Sequence, residues 1–156
     1  MLRRNGCSDY MVEIGGEIAL SGLNRRGEPW RIMIDAPIAN DSTISHQRMA
    51  TLSITDCGVA TSGNYRNYRH SGKRTIGHTI SPVTGRPIAT TTLSATVVAP
   101  TAMLADALAT ACMAMEPDSA IAMADSIPGT GILLVGRGDN GEWVLNASHG
   151  FPRLSD

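Results

Sequence analysis

The stretch Thr92-Leu93-Ser94-Ala95-Thr96-Val97-Val98-Ala99-Pro100-Thr101-Ala102-Met103-Leu104-Ala105-Asp106-Ala107-Leu108-Ala109-Thr110-Ala111-Cys112-Met113-Ala114-Met115 decides how the chain is built. Its first eight residues are β-branched and apolar enough for a buried strand. Pro100 suits the first turn of a following helix, because the N–H it lacks would be unpaired there anyway. The helix is predicted to run to about Met115. Leu104, Leu108, Cys112 and Met115 lie on one side of it and Ala102, Met103, Ala109 and Met113 elsewhere, so it is apolar nearly all round and predicted to be buried. Asp106 and Thr110, four residues apart, stack on one face of it at roughly 5–6 Å. A carboxylate in such surroundings needs a cation or several donors. Two readings follow: Asp106 pairs with an Arg while Thr110 bonds back to a carbonyl of the preceding turn, or the two oxygens hold a hard cation such as Mg2+, which keeps waters and takes one or two carboxylates plus substrate phosphates.

Outward from this unit, period-two alternation predicts strands over 10–14, 17–21 and 30–35, the first ending at Gly15-Gly16 and the last two joined by a hairpin loop over 22–29. Residues 37–48 read as irregular, 51–55 and 58–61 as short strands, and 62–90 as a long Gly- and Pro-bearing loop of the kind that carries function. Asp118 is expected to cap a second helix over 119–126, stopped by Pro128-Gly129. Strands over 132–135 and 143–147 flank Asp139-Asn140-Gly141, a hairpin turn. The fold class is therefore α+β, a mainly antiparallel mixed sheet with a buried Ala-rich helix, in a single domain over 1–156.

Composition narrows the function. Thirteen basic against fourteen acidic residues in 156 give no positive excess to attract phosphate backbones or acidic membranes. A chain of this length buries roughly 68–70% of its unfolded surface, and with 4% aromatics its core is expected to be aliphatic, Met and Ala. No stretch reaches the roughly 18 apolar residues of a membrane span, and Leu2-Arg3-Arg4 leads into no signal-peptide core. Cys7, Cys57 and Cys112 are too few and too scattered for a disulfide framework or a CxxC motif, and read as small buried hydrophobes. Ser62-Gly63 lacks the GxSxG of a hydrolase elbow. Gly136-Arg137-Gly138-Asp139-Asn140-Gly141 spells GxGxxG but precedes a strand, where a dinucleotide site needs a helix N-terminus. His46, His70 and His149 read as isolated and solvated. Arg66, Arg69, Lys73 and Arg74 form a basic run, either a solvated face or a contact to phosphates or a protein partner.

Four ordered motifs then point to one family. Thr61-Ser62-Gly63-Asn64-Tyr65, Gly77-His78-Thr79-Ile80-Ser81-Pro82-Val83-Thr84-Gly85, Thr96-Val97-Val98-Ala99-Pro100 and Ala105-Asp106-Ala107-Leu108-Ala109-Thr110-Ala111 closely resemble the C-terminal half of the ApbE family of FAD:protein FMN transferases. Val12-Glu13-Ile14-Gly15-Gly16-Glu17-Ile18 and Gly27-Glu28-Pro29-Trp30 resemble its upstream strands, so the likeness runs from about residue 10 to near the C-terminus. It implies an ApbE-like (T-fold-like) portion that binds FAD with Mg2+ on the pyrophosphate, where a client threonine hydroxyl attacks the FMN phosphorus and expels AMP. Asp106 and Thr110 fall on the family's metal ligands. His78 falls on its loop histidine, placed to take the client proton or orient a phosphate, and Ser62, Gly63, His78 and the backbone around Ile80 fall where the flavin pocket is lined. The resemblance implies as clients subunits of Na+-pumping NADH:quinone reductase and Rnf-type complexes, and as compartment the periplasm, where family members are commonly membrane-anchored lipoproteins. Ser81 stands where the family has Asp before the loop proline. Full members are about twice this long. The expectation is a transferase completed by the other half or by a second chain, with a silent flavin-binding remnant or a structural subunit of a split enzyme as alternatives.

Overall fold

A computed structural model describes residues 1–38, 47–64, 68–71, 74–77, 79–82, 84–88, 91–138 and 140–155, with 68–71 and 74–77 as strand backbone. A 3-10 turn over Arg3–Asn5 leads into β1 (Tyr10–Ile14), β2 (Glu17–Ser21), β3 (Trp30–Asp35), β4 (Arg48–Ile54), β5 (Gly58–Gly63), β6 (Tyr68–Ser71), β7 (Arg74–Gly77) and β8 (Thr92–Ala99). Then follow α1 (Ala102–Met113), α2 (Pro117–Ser126), β9 (Gly131–Arg137) and β10 (Trp143–Ala147). Six strands form one antiparallel sheet in the order β1-β2-β5-β8-β9-β10, while β3-β4 and β6-β7 are separate ribbons. No helix among the described residues is long and apolar enough to cross a membrane.

Three layers follow from what each strand face carries. On β8 and β9, Ala95, Val97, Ala99, Ile132 and Leu134 point to one side and pack under α1 and α2, against Ala105, Ala109, Cys112, Met113, Ala120 and Ala124. The alternate residues Val98, Leu133 and Val135 point to the other side, where Ile32 and Ile34 of β3 and Leu52 of β4 cover them. Both central strands are thus buried on two faces, which suits the β-branched and apolar character of 92–99. The helix side uses small residues, so α1 sits close to the sheet. At Gly58 a Cβ would lie only 2.1 Å from the Ala102 nitrogen, so the side-chain-free position is what admits the start of α1.

Several expectations are corrected. Residues 22–29 do not close a hairpin: β2 pairs with β1 and β5, β3 pairs with β4, and the segment carries the chain between layers. Asn24 Oδ1 organises it by accepting from the Arg26 and Glu28 backbone N–H groups. Pro100 precedes α1 rather than opening it. Extended Thr101 is the cap, its Oγ1 accepting from Leu104 N at 3.2 Å, a contact worth about 1 kcal/mol. In α2, Pro117 takes the first helical position, so Asp118 falls in the first turn instead of capping it. Helix α1 is not buried all round: Met103 is 82% exposed, and Asp106, Ala107 and Thr110 share its open side. The long loop holds the β6-β7 hairpin, and Cys7 is exposed, while Cys57 is half-buried and Cys112 buried.

Candidate functional site

The site gathers at one end of β5, where the sheet meets the open side of α1. Ala60 of β5 belongs to the core under the helices, and side chains on a strand alternate, so Ser62 points to that same side. There its Oγ lies 3.3 Å from Thr110 Oγ1. Asp106 is one turn earlier on the helix, on the same exposed face, and makes no ion pair or hydrogen bond among the described residues. Among the described residues Asp106 meets no arginine, the side chains of Arg66, Arg69 and Arg74 lying outside them, and the partner of Thr110 is Ser62 rather than the carbonyl of the preceding turn. The need for a compensating cation that burial would impose does not arise, since Asp106 is exposed.

Beyond Ser62, Gly63 pairs with Ser94 of β8, and Asn64 N donates to Leu93 O at 2.9 Å. Asn64 Oδ1 accepts from Thr79 Oγ1 at 3.1 Å, which ties the motif loop to the end of β5. That loop is a compact turn. Ile80 bridges Pro87, Ile88 N donates to Thr79 O, Ser81 N donates to Arg86 O, and Ser81 Oγ accepts from Thr84 N at 3.2 Å. Ser81 thus gives the turn a side-chain acceptor. Ile80 is 52% exposed beside it. His78 lies outside the described residues, as do His46, Arg66 and Lys73; the side chains of Arg69, His70 and Arg74 are not described. Nothing in the sequence marks Asn64 and Thr79 as partners. A long-range hydrogen bond between two polar loop residues leaves no periodic signal in a sequence.

Asp106 and Thr110 offer a carboxylate and a hydroxyl, hard oxygens one turn apart on a rigid helix, with Ser62 beside Thr110 rather than among the donors. This donor set fits Mg2+, which binds through one or two carboxylates and leaves positions for water and phosphate. Among the described residues no three His, Cys, Asp or Glu side chains cluster, so a site built on several nitrogen, sulfur or carboxylate ligands is not what they offer. Elsewhere, His149 is not the isolated histidine expected. Its ring Nδ1 and backbone N each lie 2.9 Å from the Asp125 carboxylate, which raises the imidazole pKa and, mainly through that ring contact, lowers the carboxylate's.

The comparisons place this architecture. A transferase from Vibrio cholerae named FAD:protein FMN transferase is 42% identical over 99% of this chain and 45% of its own length. One of the same name from Haemophilus influenzae is 37% identical over 99% and 43%. Among solved structures, the flavin transferase ApbE of V. cholerae superposes with a TM-score of 0.78 at 39% identity, covering 96% of this chain and 45% of that one. The apo form of the Pseudomonas stutzeri flavinyl transferase ApbE gives 0.77 at 33% identity, covering 96% and 44%. In class, then, the fold is that of the flavin transferases. A profile of the ApbE family matches residues 1–134, and the chain belongs to that family. It spans about half the length of the curated relatives it matches.

Proposed function

We propose that this chain carries the metal and flavin side of an FAD:protein FMN transferase site, completed by the family's other half or by a second chain. The observation that carries the reading is the shared edge of α1 and β5, where Asp106, Thr110 and Ser62 present oxygens to one open face. Asp106 and Thr110 would hold Mg2+, with Ser62, Gly63 and the Ile80 backbone lining the flavin. Bound there, the cation would neutralise charge on the pyrophosphate oxygens. In the reaction a client threonine oxygen bonds to the FMN phosphorus while the anhydride bond to the AMP side breaks, and the bridging oxygen departs with AMP. His78 takes the proton released by the hydroxyl, a role that suits imidazole near neutral pH. Backbone N–H groups and carbonyls of the turn around Ile80 hold the flavin in line for this displacement, where most of the rate comes from positioning. The protein client is a flavoprotein subunit of the Na+-pumping NADH:quinone reductase or Rnf kind.

The test is a fluorescence titration of the purified chain with FAD, with and without Mg2+, beside Asp106→Ala, followed by an AMP-release assay with a client peptide. Saturable binding that needs Mg2+ and is lost in Asp106→Ala supports the site, and AMP release supports transfer. Binding without AMP release would mark a flavin-holding remnant. Absence of binding at millimolar FAD would refute a working site on this chain alone.

A further inference from the structure

We infer that Ser62 is the positioning residue for Thr110: its Oγ accepts the Thr110 hydroxyl proton and so turns that residue's lone pairs toward the ligand. The inference rests on the cation site proposed above. A helical threonine splits between rotamers because its hydroxyl can bond the carbonyl one turn back, here that of Asp106. In that state its proton is satisfied and its oxygen is aimed along the helix. A hydroxyl that ligates a cation or a phosphate-bound cation keeps its proton, and the proton then needs an acceptor away from the metal. Ser62 Oγ, 3.3 Å from Thr110 Oγ1, occupies that place. The separation is long for an O–H···O bond, and contacts of this kind tighten once the ligand fixes one partner.

Ser62 is suited to the task by where it stands. It belongs to β5, whose ladder to β8 sets Ser62 opposite the fully buried Ala95, so its Cα is fixed by the sheet rather than by a loop. Asp106 and Thr110 come from a capped helix packed on the same strand. The two hydroxyls thus meet across two rigid elements, the arrangement by which an outer residue orients a ligand.

The experiment measures Mn2+ as the probe cation by electron paramagnetic resonance, with and without FAD, in the unmodified chain, Ser62→Ala, Ser62→Thr and Asp106→Ala, with a thermal melt of each. Loss of an orienting partner weakens cation binding by about ten- to a hundredfold. Ser62→Ala should show that loss with an unchanged melt, Ser62→Thr should restore affinity because it returns the hydroxyl, and Asp106→Ala should lose binding altogether. If Ser62→Ala binds Mn2+ like the unmodified chain while Asp106→Ala does not, the positioning role is overturned and the cation site stands. If Asp106→Ala binds like the unmodified chain, or if the unmodified chain binds no Mn2+, both are overturned.

Discussion

Replacing Gly58 by alanine tests whether the approach of α1 to β5 supports both the fold and the site. The added Cβ would lie 2.1 Å from the Ala102 nitrogen, 2.3 Å from the Thr101 carbonyl carbon and 2.4 Å from the Ala102 Cα. All three are backbone atoms, so no side-chain rotation relieves the clash, and the first turn of α1 must withdraw by roughly 1.5 Å to regain van der Waals contact. That movement strains the Thr101 cap and opens the Ala-lined seam beneath the helix. Overpacking costs about 1–3 kcal/mol, and a clash with capped backbone belongs at the upper end. In a chain of this size about 3 kcal/mol lowers the melting temperature by roughly 6–12 °C. Because α1 carries Asp106 and Thr110, Mn2+ affinity should fall as well. Gly27→Ala is the control: Gly27 has φ +74° with nothing within 4 Å of an added Cβ, so it pays only the left-handed backbone penalty of about 1 kcal/mol and keeps cation binding. Circular dichroism melts, with amide exchange at Leu104, read the outcome. A Gly58→Ala chain melting within about 2 °C of the original would refute the close approach.

Two further perturbations report on other parts of the molecule. His149 has its pKa raised above 6.5 by Asp125, so the stability it lends is full below that value and fades as pH rises through the folded pKa; Asp125, lowered from 3.8, lends stability above that value and loses it as pH falls through its own. The melting difference between the original chain and His149→Ala should therefore be greatest between pH 3.8 and 6.5, small and salt-sensitive because the pair is exposed, and a difference that grows above pH 8 would contradict this. Burial pushes the Cys57 and Cys112 thiols up to about 11 while Cys7 is exposed, so iodoacetamide near neutral pH should add one label, at Cys7, to the native chain and three after unfolding. Labelling of native Cys112 as fast as Cys7 would contradict the packing beneath α1.

How far the sequence could be read follows from what each pattern encodes. The bounds of β8 were legible because its residues are β-branched or apolar, the end of β1 because Gly15-Gly16 punctuates it, and the β9-β10 hairpin because of Asn140-Gly141, whereas the pairing of β2 with β1 was not. Neither was the partner of β3. Alternation shows that a strand has a dry face without saying which sheet dries it, and here that face closes onto the far side of the main sheet. Burial of α1 was overstated because Ala and Met are at home inside or outside, as Met103 shows. At the site, the i, i+4 spacing of Asp106 and Thr110 survives folding, whereas their exposure and the approach of Ser62 across 48 residues of sequence depend on how β5 packs on the helix.

The chain between Gly63 and Thr92 leaves and re-enters the main sheet at neighbouring points, since Gly63 faces Ser94 and Asn64 N bonds Leu93 O. Its two ends are thus stapled by the β5-β8 ladder, whatever lies between. Closing a longer loop across a fixed gap costs only about 0.6 kcal/mol for each doubling of its length. This segment, which holds His78 and the turn at Ile80, can therefore be lengthened or shortened at little expense to the sheet and helices, while the oxygen-bearing edge of α1 stays where it is.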